Sequence, residues 1–173
     1  MYKRILVVVG DDLASEQATA TGIEIAKAHS AEILFFYVLP PYDIVLGGED
    51  RLALANYSVN DFQREATSFA ERKLMAATEL AERQGVHSLR ATGLEADVAL
   101  CVANAAEIRQ CQMIVVATER KNAVMRMISG SIVPRLLTVA TVPVLVCSTE
   151  GQTTHAPSGA AQAHSARATP DLS

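Results

Sequence analysis

Ala117, Arg120 and the pair Gly130-Ser131 form the arrangement in this chain best suited to hold a ligand; two residues separate the first pair of positions and nine the second. Upstream, the apolar burst Met113–Val116 has the composition of a parallel strand buried on both faces. Downstream, Gly130-Ser131 opens a short helical pattern, Ser131–Val139, with Pro134 in its first turn and Leu136 and Leu137 expected to point inward. A strand, a long polar loop and Gly-Ser at a helix start make an anion pocket. Glycine lets backbone N–H groups approach a phosphate, and the helix N-terminus supplies unpaired donors and positive dipole. The loop also carries Arg120, Lys121 and Arg126. These either reach over phosphates as charged donors or form a solvated face.

Other chemistries find less support. Ser131 has no recognisable His or Asp partner and Glu119 is a lone loop acid, so Ser131 reads as a helix cap and the chain as a non-enzyme. Slow nucleotide hydrolysis is conceivable only as a by-product of binding. Cys101, Cys111 and Cys147 are odd in number and include no C-x-x-C, which indicates inert thiols, with no disulfide framework and no zinc site. His29, His87, His155 and His164 show no i, i+4 ligand spacing, so no metal is expected.

The elements that must position the loop follow from hydrophobic periodicity. Ile5–Val9 is a short β-branched run, expected as a central parallel strand. A helix beginning near Ser15 brings Ala18, Gly22, Ile25 and Ala26 to one face. Ile33–Val38 is the second strand, and Pro40-Pro41 through Asn56, with Gly47-Gly48, reads as a long connection. Asn60 and Gln63 suggest a capping box for a helix that carries Phe62, Ala66, Phe69, Ala70, Leu74 and Ala77 inward and ends at Gly85. His87–Thr92 is a weaker strand with Gly93 as the turn after it, Asp97–Cys111 an amphipathic helix, and Val142–Val146 the last strand. Alternating strands and helices imply same-handed crossovers and a parallel sheet. The ligand crevice of such a sheet lies at its topological switch point, here beyond the carboxyl ends of the first and fourth strands.

In this order and spacing, the pieces resemble the universal stress protein family, whose nucleotide-binding members carry Gly, two residues, Gly, nine residues, Gly-Ser/Thr. Tyr2–Val9 is similar to the family's first strand, Ser15-Glu16-Gln17-Ala18 to its first helix, Glu32–Val38 with Pro40-Pro41 to its second strand and exit, and Thr141–Val146 to its closing strand. The resemblance covers roughly Tyr2 to Cys147. It implies a single doubly wound, Rossmann-like α/β domain: a five-stranded parallel sheet flanked by about four helices. It also implies ATP as the ligand, in a pocket of Val8, Val9, Gly10, Val38, Val116, Ala117, Arg120, Gly130, Ser131, Ile132 and Val133. The family's ribose-binding Asp aligns with Gly10, its second glycine with Arg120 and its first with Ala117, so weak or lost ATP binding is expected, and no other cofactor. Asp11 and Asp12 follow Gly10, but a one-residue shift at a strand end turns a side chain to the opposite face. The opening Arg4–Asp12 also resembles a response-regulator receiver. That reading fails because Gly93-Leu94-Glu95 supplies no phosphoacceptor Asp and no lysine follows Lys121.

The remaining features bound the function. Half of the 173 residues are apolar and a fifth are charged, as in a soluble globular domain, and the net charge of −4 argues against nucleic acid and anionic membrane as partners. No apolar run reaches the ~20 residues that span a bilayer, and no signal-peptide pattern precedes the first strand, so the cytoplasm is the expected compartment. The domain is expected to occupy residues 1–147. Residues 148–173, poor in large apolar side chains, are expected to form a disordered tail. Both faces of Val142–Val146 are apolar. If this is an edge strand, as the resemblance implies, pairing with the same strand of a second copy would cover it and give a homodimer.

Overall fold

Strand β1 (Arg4–Val8) forms because its apolar run leaves no polar face for water, and it lies at the centre of a sheet. A computed structural model describes residues 2–40, 58–118 and 132–148. The other strands are β2 (Glu32–Leu39), β3 (Ser88–Leu94), β4 (Ile114–Thr118) and β5 (Val144–Ser148), all parallel, in the order β3-β2-β1-β4-β5. Helices α1 (Leu13–His29), α2 (Val59–Arg83), α3 (Val98–Ile108) and α4 (Ile132–Val139) connect them. The expected α/β sheet is therefore present. The long connection and the tail expected from the sequence lie outside the described residues.

The chain runs from β1 outward to β3, then returns past β1 to β4 and β5. A constant crossover hand forces the helices to change faces when the direction reverses. Accordingly, Ile5, Val7, Ile33, Phe35 and Val115 pack with Ala18, Ile23 and Ala26 of α1 and Leu74, Ala77 and Ala81 of α2. Leu6, Leu34, Phe36, Ile114 and Val116 pack on the other face with Val102 and Ala106 of α3 and Leu136 of α4. The switch point falls between β1 and β4, as the strand pattern implies. No described helix is long and apolar enough to cross a membrane.

Several element boundaries and orientations differ from expectation. Helix α1 starts at Leu13, because Asp12 is its N-cap and accepts the Ser15 N–H at 2.7 Å. The cap of α2 is Ser58, whose Oγ accepts the Asn60 N–H at 3.1 Å; Asn60 already lies inside the helix and cannot cap it. Gly93 is a strand residue of β3, pairing with Val38. Its missing side chain makes room for Phe36 and for Cys101 of α3. Leu137 is 59% exposed while Leu136 is fully buried, since only one of two adjacent helical positions can face the sheet. Strands β4 and β5 both run two residues beyond expectation, ending in the pair Thr118↔Ser148.

Helices α1, α2 and α3 end alike, with a left-handed residue (Ser30, Gly85, Gln110) and a hydrogen bond from the next N–H to the carbonyl five residues back. Only Gly85 adopts that conformation without a Cβ penalty.

Cys101 and Cys111 are buried and Cys147 is partly exposed. Burial pushes the Cys111 thiol up to about 11 and also raises that of Cys101, with Glu95 adding to the shift. A thiol reagent at pH 8 is therefore expected to modify Cys147 first in the native protein, and Cys101 and Cys111 only on unfolding. Mass mapping after timed labelling checks this; rapid native modification of Cys111 would contradict the packing around it.

Candidate functional site

Side-chain alternation at the carboxyl ends of the strands sorts the candidate residues. Val8, Val38 and Val116 join Ile132 and Val133 of α4 on the face covered by α3 and α4. Val9 and Ala117 turn to the opposite face, toward α1 and α2. Five of the candidates thus form one apolar wall beside the β1/β4 crevice; Val116 is buried and the other four are half-buried. Arg120, Gly130 and Ser131, with Arg126, lie outside the described residues.

At the exit of β1, the Gly10 N–H donates to the Ser15 Oγ. A Cβ at Gly10 would lie 3.1 Å from that oxygen and 3.3 Å from the Ser15 Cβ, so the position is closely filled. Asp12 is engaged as the α1 cap. Asp11 is exposed, and its charge acts on Tyr37, which packs against the α1/α2 face. The Tyr37 phenol is raised above its ordinary value first by burial and then by Asp11.

Two residues absent from the sequence-based set tie α4 in place. Asp97 caps α3 by accepting the Leu100 N–H at 3.1 Å, and Arg135 of α4 donates from Nε to the other Asp97 oxygen, also at 3.1 Å. The Leu100 N–H chiefly, with Arg135 assisting, holds the Asp97 carboxyl below the usual carboxylate range. This tether therefore holds at neutral pH and is lost on acidification through that lowered value. The cap was visible as an Asp before an apolar helical run; the partner 38 residues away was not.

The apolar wall and the β1 exit thus lie together at the switch point of a five-stranded parallel sheet. A model of the universal stress protein family matches residues 1–148. The chain belongs to that family. A Staphylococcus haemolyticus protein described as a universal stress protein is 29% identical over 153 residues, covering 86% of each chain. A crystal structure from the universal stress protein family of Burkholderia pseudomallei is 25% identical with a TM-score of 0.60, covering 84% of this chain and 95% of that one. An Arabidopsis thaliana family protein with AMP bound shares the fold at 14% identity and a TM-score of 0.61, covering 90% of this chain and 97% of that one. The resemblance read from the order and spacing of the motifs is thus correct at the level of family and fold.

Proposed function

We propose that this universal stress protein serves the stress response as a cytoplasmic, non-catalytic homodimer that acts through protein contacts, with adenine-nucleotide binding weakened or lost. The observation that carries this reading is Gly10: the β1 exit offers no side chain, and Asp12 is held as the α1 cap. Loss of one hydrogen bond to a charged group removes about 1.5–3 kcal/mol, roughly ten- to a hundredfold in affinity. A second reading, an ATP-binding regulator that uses Gly130-Ser131 with Arg120 and Arg126, is favoured by the five gathered apolar residues and by the Arabidopsis relative with AMP bound. Calorimetric titration with ATP, together with adenine absorbance after denaturation of protein purified without nucleotide, separates the two. Weak or absent heat and no extracted adenine are expected; tight binding overturns the first reading.

The dimer rests on the position of β5. It is an edge strand, with Val144 and Val146 packed toward one face of the sheet and Leu145 and Cys147 toward the other. The Pro143 carbonyl accepts the Ile114 N–H at 2.9 Å, so by alternation the backbone groups of Val144, Val146 and Ser148 point to the open edge. Antiparallel pairing about a two-fold axis would satisfy them. Light scattering at micromolar concentration is expected to give twice the 18.5 kDa chain mass. Val146→Pro removes an outward N–H without touching the β4 ladder and is expected to give the single-chain mass. A monomeric wild type overturns the dimer.

A further inference from the structure

Ser15 and Thr19 are the two buried polar residues among the described residues, at 4% and 6% exposure. They stand one helical turn apart on the same side of α1. Both line a cavity of about 270 Å³ between α1 and α2 at the carboxyl end of β1, with Val9 and Gly10 also in its wall. α2 contributes Lys73, Ala76, Ala77 and Leu80, and α1 adds Glu16. The two hydroxyls give one wall of this cavity hydrogen-bonding capacity that a polar guest can use. The Ser15 Oγ already accepts the Gly10 N–H, which leaves its own proton to donate. The volume is just below the ~300–1,000 Å³ that encloses drug-sized ligands, which sets the guest at metabolite size.

Its charges narrow the class. Lys73, whose Nζ lies 5.7 Å from the centroid of the Phe69 ring, comes from the α2 wall and the exposed Glu16 from the α1 wall, so the two helices bring opposite charges to the rim of the same space. A simple anion meets Glu16, a simple cation meets Lys73, and an apolar molecule leaves the hydroxyls unanswered. A short molecule with an anionic end, a cationic end and an apolar body satisfies every lining group. We propose that this cavity binds a small zwitterion, an α-amino acid with a short apolar side chain. The carboxylate meets Lys73 and the two hydroxyls, the ammonium meets Glu16, and the side chain rests on Val9, Ala77 and Leu80. The site lies on the face of the sheet opposite the apolar wall of the nucleotide crevice and shares Val9 and Gly10 with that crevice.

L-valine titrated into the full-length ¹⁵N-labelled chain tests this, read by amide NMR without nucleotide. Saturable shifts are expected at Gly10, Ser15, Thr19 and Lys73. Isovalerate, which lacks the ammonium, and isobutylamine, which lacks the carboxylate, should each bind roughly tenfold or more weakly, the loss of one charged contact. Lys73→Met should weaken valine similarly, and Ala76→Leu, at an exposed helix position, should block the cavity while thermal melts show both variants folded. The absence of saturable shifts at millimolar valine shows a merely water-filled cavity and overturns the proposal. Equal binding of isovalerate overturns the zwitterion class, and binding that survives both substitutions overturns the site.

Discussion

Gly93→Ala is expected to lower the stability of the domain by about 2–3 kcal/mol, the upper part of the range for overpacking a core. A Cβ at this position would stand 2.4 Å from the Cys101 Sγ and 2.7 Å from the Phe36 Cζ. Both neighbours are buried, Cys101 on α3 and Phe36 on β2, so neither can swing into solvent. The methyl must therefore push α3 off the sheet or force Phe36 from its rotamer. Urea unfolding should show a lower midpoint with an unchanged slope. Adding Cys101→Ala, which removes the closer atom, should recover part of the loss and so reveal coupling between the two positions. An unchanged midpoint in the single variant would mean that the close approach of α3 to β3 is wrong. Gly22 performs the same task on the other face, where a Cβ would meet the Val7 Cγ2 at 2.6 Å as α1 crosses β1.

Arg120→Gly is expected to raise ATP affinity by roughly ten- to a hundredfold over a weak or undetectable wild type, because it returns bare backbone to the place where the family pattern sets phosphate. Gly10→Asp restores the missing carboxylate, but its gain should be smaller. The new Cβ lies 3.1 Å from the Ser15 Oγ and 3.9 Å from the Asp12 Oδ2, so the substitution crowds Ser15 and sets two carboxylates close together. Gly10→Asp should accordingly lower the melting temperature slightly, whereas Arg120→Gly should not. The double variant should bind more tightly than either single variant, with a gain of a hundredfold or more if the two contributions add. Titration calorimetry on the wild type and three variants reads these values directly. Tight wild-type binding that collapses in Arg120→Gly would sink the preferred reading and identify Arg120 as a phosphate ligand.

Much of the architecture is local in origin and therefore legible in the chain. Ile5–Val9 and Ile33–Val38 are apolar at every position, which only a strand covered on both faces tolerates. The alternation of such runs with helical periods leaves a parallel sheet as the compact solution, and the order β3-β2-β1-β4-β5 then sets its switch point between β1 and β4. Gly85 announces the end of α2 because it alone among the three helix-terminating residues lacks a Cβ; Ser30 and Gln110 adopt the same conformation with no signal in their type. The apolar wall was also within reach, since strand alternation separates Val8 from Val9 and Val116 from Ala117.

Tertiary structure decided what depends on partners distant in sequence. β4 and β5 extend to Thr118 and Ser148 because each supplies the other's ladder, which residue propensity does not register. Gly93 looks like a turn until Phe36 and Cys101 are seen to need its space. Asp12 looks available to a ligand until it is found capping α1, and Arg135 has no visible purpose until α4 lies beside Asp97. The α1/α2 cavity joins residues 9–19 to residues 73–80, a proximity created only when both helices settle on one face of the sheet. Local sequence chooses the elements through hydrophobic period and capping chemistry. The site is set by which side chains those elements bring together, and that is determined by packing.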